Sequence, residues 1–379
     1  MLYWDNAATT WPKPISVRSA VGQAFVNYGA NPGRGGHSMS IATAEAVFDC
    51  RQNVARFFGL NDPMGVVFTA SCTMSLNTVI RGVLERGGRA VTSDLEHNAV
   101  MRPLTAFSGR YDVAAWSEHE DETVEHFRRA IRSDTKLLIC THASNVFGVT
   151  LPIEKLGKLA KEYGLLFCVD AAQTAGVLPI NMERCHIDYL CIAPHKGLYG
   201  PMGTGLLLCR EKEKISPLIC GGTGNLSMRW DQPSDLPERL ESGTLNIPGI
   251  CGINAGLQFV QEKGRERIYQ HEIHCLQQIY DQLSKHSSVC FYTPRPKMRS
   301  SASVLSLNIK GIPAERVAEK LSKRGIAVRA GLHCAPAAHQ RFGTMPDGTV
   351  RLAPSVFTNE QEVLQISKVF REIAEKTLR

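Results

Sequence analysis

No stretch of this 379-residue chain stays apolar for the length a membrane span requires, so a bilayer-crossing protein is not expected. Residues 1–15 lack a basic start followed by an apolar run, and no secretory leader is expected. The twelve cysteines never fall in a C-x-x-C pair, which argues against a metal site. Cys140, Cys168, Cys191 and Cys209 lie inside apolar runs. They read as small buried hydrophobes of a reducing cytoplasm, not as a disulfide frame. Aromatics are only 7% and no Lys/Arg run is long enough for a basic stripe, so no nucleic-acid partner is expected. The formal charge of +7 is modest for this length and suits small anionic ligands. Internal repeats and low-complexity linkers are absent as well.

What is present is alternation. The length suits two domains. Apolar residues at helical spacing predict a helix from Ser16 to Tyr28 and another from Ser40 to Phe58, closed by Gly59. Strands are predicted at 65–69, 89–93, 111–116, 136–142, 165–169, 189–193 and 204–209. Helices fill most gaps, notably 73–85, 120–132 and 152–163. This rhythm predicts an α/β fold with a mostly parallel seven-stranded sheet covered on both faces. After about residue 250 the rhythm changes to one long helical stretch, 251–286. A smaller α+β unit follows, closed by a helix over 359–377.

The stretch from Cys168 to Gly205 carries the chemistry. One apolar strand delivers Asp170 at its end, and the next delivers His195 and Lys196. Open α/β sheets place ligand chemistry at such strand ends. A carboxylate and a lysine held this way fit pyridoxal 5'-phosphate: the lysine forms a Schiff base with the aldehyde, and the acid keeps the ring nitrogen protonated. Taken singly, Asp170 could cap a loop and Lys196 could be a surface lysine. Embedded in VDAAQ and HKGLYGPMGTG, the pair favours the cofactor.

That stretch resembles the aminotransferase class V family, and within it the cysteine desulfurases and selenocysteine lyases. So do YWDNAATT (3–10), NPGRGGHS (31–38), FTASCTMSLN (68–77), LEHNAV (95–100), HASNVFG (142–148), ESGTLN (241–246) and VRAGLHCAP (328–336). The resemblance covers nearly the whole chain. It implies fold type I, with residues 16–250 as the large cofactor-binding domain. Residues 1–15 and 251–379 would form the small domain that carries a catalytic cysteine loop.

The resemblance also assigns residues. Cys72 and Thr73 would meet the cofactor phosphate at a helix start, where an ordinary N-cap is the alternative. His97 would stack on the ring and relay protons. Asn145 would lie beside the phenolic oxygen, Gln173 beside Asp170, and His195 on the phosphate. Ala193 and Pro194 stand where many relatives carry a phosphate-binding Ser or Thr. Thr244 would reach the neighbouring subunit's phosphate in a homodimer. Arg351 would hold the substrate carboxylate through its bidentate fork, with Arg34 and His37 at the entrance.

Cys334 discriminates among activities, because a desulfurase needs a thiolate to take the substrate sulfur as a persulfide. Its short loop resembles the second group of desulfurases. The implied substrate is L-cysteine or L-selenocysteine, and the implied partner is a sulfur-acceptor protein. Selenocysteine lyase, a C–S lyase and an aminotransferase stand as alternatives.

Overall fold

The structure is a computed structural model and describes residues 1–33, 35–107, 109–210 and 215–375. A seven-stranded sheet organises the chain. Its order is Val66–Thr69, Gly205–Cys209, Tyr189–Ile192, Leu166–Asp170, Thr135–Thr141, Arg89–Ser93, Tyr111–Ala114. Gly205–Cys209 runs antiparallel to both neighbours; the other pairings are parallel. The sheet is thus mostly parallel, as the alternation predicted.

Alternate residues of each strand pack into opposite apolar layers. Phe167, Val169, Leu190 and Ile192 face one layer, and Leu166, Cys168, Tyr189 and Cys191 face the other. Burial on both faces explains why these strands read as continuous apolar runs. Register sets Asp170 beside Thr141 and Cys191. The functional loops therefore leave the parallel strands at one common edge.

The stretch 251–286 is not one helix, as the periodicity suggested. Helices Ile247–Lys263 and Arg265–Leu283 meet at Gly264, whose φ of 82° lies in the left-handed region. Apolar spacing continues through the break, so periodicity does not register it; glycine alone adopts that turn without strain. Two strands also escaped the sequence reading, Val289–Phe291 and Thr349–Leu352. They join Leu305–Ile309 and Arg329–Gly331 in a four-stranded antiparallel sheet.

Residues 1–15 begin as an arm that packs against the unit holding the four-stranded sheet. Leu2–Tyr3 pairs in parallel with Ile326–Ala327, Trp4 is fully buried, and Asp5 bridges to Ala353. The chain's beginning is thereby woven against its last third.

One close approach fixes the lysine turn. A Cβ on Gly197 would lie 2.4 Å from the Ala175 carbonyl oxygen, and one on Gly176 would lie 2.3 Å from the Gly197 carbonyl oxygen. The turns that follow the Asp170 and Lys196 strands therefore touch backbone to backbone. Gly197→Ala should destabilise the protein by about 1–3 kcal/mol, because backbone must move to admit the methyl group; urea unfolding measures it.

Candidate active site

Asp170 is the last residue of its strand and is 4% exposed. Its Oδ1 accepts the Ala172 N–H at 2.9 Å and the Cys72 thiol at 3.7 Å. Burial pushes the Cys72 thiol well up, so it stays protonated and can donate. Oδ2 has no protein partner among the described residues. Burial raises the Asp170 carboxyl, while the Ala172 N–H and the Lys196 charge pull it back down.

Lys196 follows the strand Tyr189–Ile192 in a tight turn. Its N–H donates to Ala193 O at 3.1 Å, and its carbonyl accepts from Tyr199 N at 2.8 Å. The arm clamps this turn from outside. Thr9 Oγ1 and Thr10 Oγ1 each donate to His195 O at 3.1 Å, and Lys13 Nζ donates to it at 2.7 Å. Lys196 Nζ makes no hydrogen bond to any described residue.

Burial first, and Arg351 second, lower the Lys196 ammonium from 10.5 to about 8. The cofactor-free fold therefore carries a penalty below about pH 8, where Lys196 is protonated in both states. The penalty is relieved as pH rises from about 8 to 10.5. Lys196→Met should make the cofactor-free protein more stable at pH 7, by up to about 3 kcal/mol, and the advantage should fade by pH 10. Urea titrations at the two pH values measure it.

His97 opens the helix Asn98–Phe107, and its Nδ1 accepts the Ala99 N–H at 3.0 Å. Burial and then the Lys196 charge hold it down to about 4, so it is neutral at pH 7 with its proton on Nε2. Gln173 Nε2 donates to Ala7 O at 3.1 Å, tying the Asp170 turn to the arm. Ser71, not Thr73, caps the helix Cys72–Leu84, accepting from Met74 N at 3.2 Å. Thr73 is left exposed in the first turn.

Cys334 arrives from the other sheet. It is exposed, and it follows strand Arg329–Gly331 in a turn where His333 (φ 49°) and Cys334 (φ 57°) are both left-handed. Two non-glycine residues in that region cost energy unless their surroundings hold them. The holders are visible. Asn98 N donates to Cys334 O at 2.7 Å, Asn145 Nδ2 donates to His333 O at 2.8 Å, and His333 Nε2 meets Thr349 O at 3.1 Å. The Cys334 loop is thus docked on the start of the His97 helix. Arg329 lies 3.9 Å from the Cys334 sulfur.

Arg351 is 1% exposed. It donates to Asn145 O at 2.9 Å and to Asp5 Oδ1 at 2.7 Å. Arg351 and Asp170 lie close enough to Lys196 for their charges to act on it, as Lys196 and Arg351 do on His97, and Asn145 ties both Arg351 and the Cys334 loop to this group.

His37 caps the helix Ser38–Phe58, accepting from Ser40 N at 3.3 Å, and is exposed. Thr244 is exposed at the rim of a cavity of about 280 Å³ that it shares with Ala70 and Met74. Arg34 lies outside the described residues.

A sequence model of the Aminotransferase class-V family matches residues 2–366. The chain belongs to the aminotransferase class-V family. Among relatives of this class-V chain, a probable cysteine desulfurase of Methanothermobacter thermautotrophicus is 30% identical over 98% of this chain and 94% of its own length. One from Pyrococcus abyssi is 31% identical over 100% and 95%. The apo structure of a cysteine desulfurase from Thermococcus onnurineus NA1 superposes with a TM-score of 0.90 at 33% identity, covering 99% of this chain and 95% of that one. The class-V fold is the one the sequence led us to expect.

The class-V residues fit pyridoxal phosphate on three counts. The N–H groups of Cys72 and Thr73, at a helix start, have no acceptor among the described residues, which suits an anion. His195 Nδ1 is buried without a partner among the described residues. Asp170 Oδ2 and Lys196 Nζ are uncommitted. Sequence reading assigned Cys72 to the phosphate and missed its thiol as donor to Asp170. It also missed four clamps of the candidate site, Asp5, Thr9, Thr10 and Lys13. Motif YWDNAATT contains three of the four, but nothing local says what they touch. Among the described residues no cluster of metal-ligating side chains occurs, and no helix is long and apolar enough to cross a membrane.

Proposed function

We propose that this class-V enzyme is a pyridoxal 5'-phosphate-dependent cysteine desulfurase. It converts L-cysteine to L-alanine, keeps the sulfur as a persulfide on Cys334 and passes it to an acceptor protein. The observation that carries this reading is the docking of an exposed thiol, through Asn98 N–H to Cys334 O, onto the helix that presents His97. The curated relatives named cysteine desulfurase support it.

When bound, the cofactor supplies an aldehyde that captures amines and a ring that accepts electrons. Lys196 would hold the aldehyde carbon, and its uncharged amine would then move the proton of the substrate α-carbon. The low ammonium pKa of about 8 keeps an appreciable fraction of amine free near neutral pH. Asp170 Oδ2 would accept the ring N–H, and the Cys72 thiol fixes that carboxylate from the far side. Neutral His97 would cover the ring, beside Asn145 and Gln173. The phosphate would take the free N–H groups at Cys72 and Thr73, His195, and Thr244 of a second copy in a homodimer. Arg351 would pair with the substrate carboxylate.

The sulfur step balances within the protein. A bond forms between Cys334 Sγ and the substrate sulfur as the carbon–sulfur bond breaks. The electron pair stays with carbon, which is protonated to alanine; Cys334 ends as Cys334–S–SH.

The same reading places residues 16–250 in a large domain, residues 1–15 and 251–379 in a small one, and the enzyme in the cytoplasm. Incubation of the loaded enzyme with L-cysteine tests it. Alanine and enzyme-bound sulfane sulfur should appear in equal amounts before any reductant is added. Pyruvate with ammonia would instead mark a C–S lyase. Turnover confined to L-selenocysteine would mark a selenocysteine lyase.

A further inference from the structure

The buried guanidinium of Arg351 is held on two sides. Asp5 Oδ1 takes one NH2 hydrogen at 2.7 Å, and Asn145 O takes one NH1 hydrogen at 2.9 Å. Nε is buried with no partner, and the remaining N–H groups have no acceptor among the described residues. Across the strand pair, Arg329 stands directly opposite Arg351, and its charge works against that of Arg351. Asp5 is the carboxylate that offsets this crowding: it is the one acid ion-paired with Arg351 among the described residues. It comes from the opposite end of the chain, held by the Asp5–Ala353 bridge two residues beyond Arg351.

A guanidinium has five donors in a rigid plane, so fixing two of them fixes where the others aim. We propose that Asp5 is a positioning residue for the carboxylate anchor: it orients the Arg351 plane so that its uncommitted donors meet an α-carboxylate. Asp5 itself does not touch the substrate. The inference rests on Arg351 as the carboxylate anchor. It concerns affinity for the carboxylate and leaves the sulfur step untouched.

The test titrates the loaded enzyme with L-alanine, an α-amino carboxylate that carries no sulfur, and follows the absorbance of the bound cofactor. L-alaninamide, which lacks the carboxylate, is the control ligand. Asp5→Ala should weaken L-alanine binding about tenfold or more, the range of a hydrogen bond to a charged group, and leave L-alaninamide unchanged. Asp5→Asn, which keeps an acceptor oxygen, should fall between parent and Asp5→Ala. In an Arg351→Met background, Asp5→Ala should add nothing further. With L-cysteine, the loss should appear in KM and not in kcat.

Equal weakening of both ligands would make Asp5 a mere structural prop and overturn the inference. Tighter L-alanine binding in Asp5→Asn would also overturn it, by showing that Asp5 competes with the substrate. A full Asp5→Ala effect in the Arg351→Met background overturns it as well and leaves the anchor standing. Unchanged L-alanine affinity in Arg351→Met alone removes the anchor, and this inference with it.

Discussion

Lys196→Ala is expected to leave a folded protein that no longer forms alanine from L-cysteine, with turnover down by at least about 10³-fold, toward the upper end of what a positioned acid–base group contributes. Two roles are lost at once. The side chain holds the aldehyde carbon, and its amine moves the α-proton. Folding should survive, because Lys196 Nζ makes no hydrogen bond to the described residues. The turn is held instead by backbone contacts and by Thr9, Thr10 and Lys13 on His195 O. Two measurements check this: alanine release, and the visible absorbance of the cofactor after gel filtration. The variant should lose the lysine-linked colour and still bind the phosphate group. Turnover at the parent rate would reject the lysine.

Cys334→Ser is expected to split binding from sulfur transfer. The variant should keep the bound cofactor's absorbance and parent affinity for L-alanine. Alanine formation from L-cysteine should fall by about 10²-fold or more, since the nucleophile that takes the sulfur is gone. Serine is a fair replacement here. Like cysteine it must accept the left-handed backbone at φ 57°, and the tether to Asn98 uses the carbonyl, not the side chain. The loop therefore stays docked. Cys220 provides the internal control, because it is the other exposed cysteine; Cys220→Ser should behave as the parent does. Persulfide detection on the intact protein after L-cysteine, by mass, reads the same split.

Much of this site was legible because its residues sit where patterns change. Asp170 ends an unbroken apolar strand and Lys196 follows another, so a polar group there announces a strand end. Cys334 stood out through the short motif around it. The contacts that tune these groups have no such signature. The Cys72 thiol reaches Asp170 across 98 residues, Lys13 reaches His195 across 182, and Asp5 reaches Arg351 across 346. Spacing within a motif carries no information about pairings that only the sheet topology creates. The helix break at Gly264 was hidden for a different reason. Both halves bury a continuous apolar stripe, and one glycine suffices to turn the axis without disturbing it.

The parallel pairing of Leu2–Tyr3 with Ile326–Ala327 bears on how the molecule is made. During synthesis Leu2 and Tyr3 have no strand to join until residues 326–327 emerge, and Asp5 has no Arg351 to meet until later still. The central sheet can assemble in that interval. The arm that clamps the lysine turn, and the orientation of the carboxylate anchor, then wait until residues 326–353 have been made. Competence thus follows the sheet, when residues 2–5 close on residues 326–353, and removing either segment should silence the enzyme more readily than it unravels the sheet.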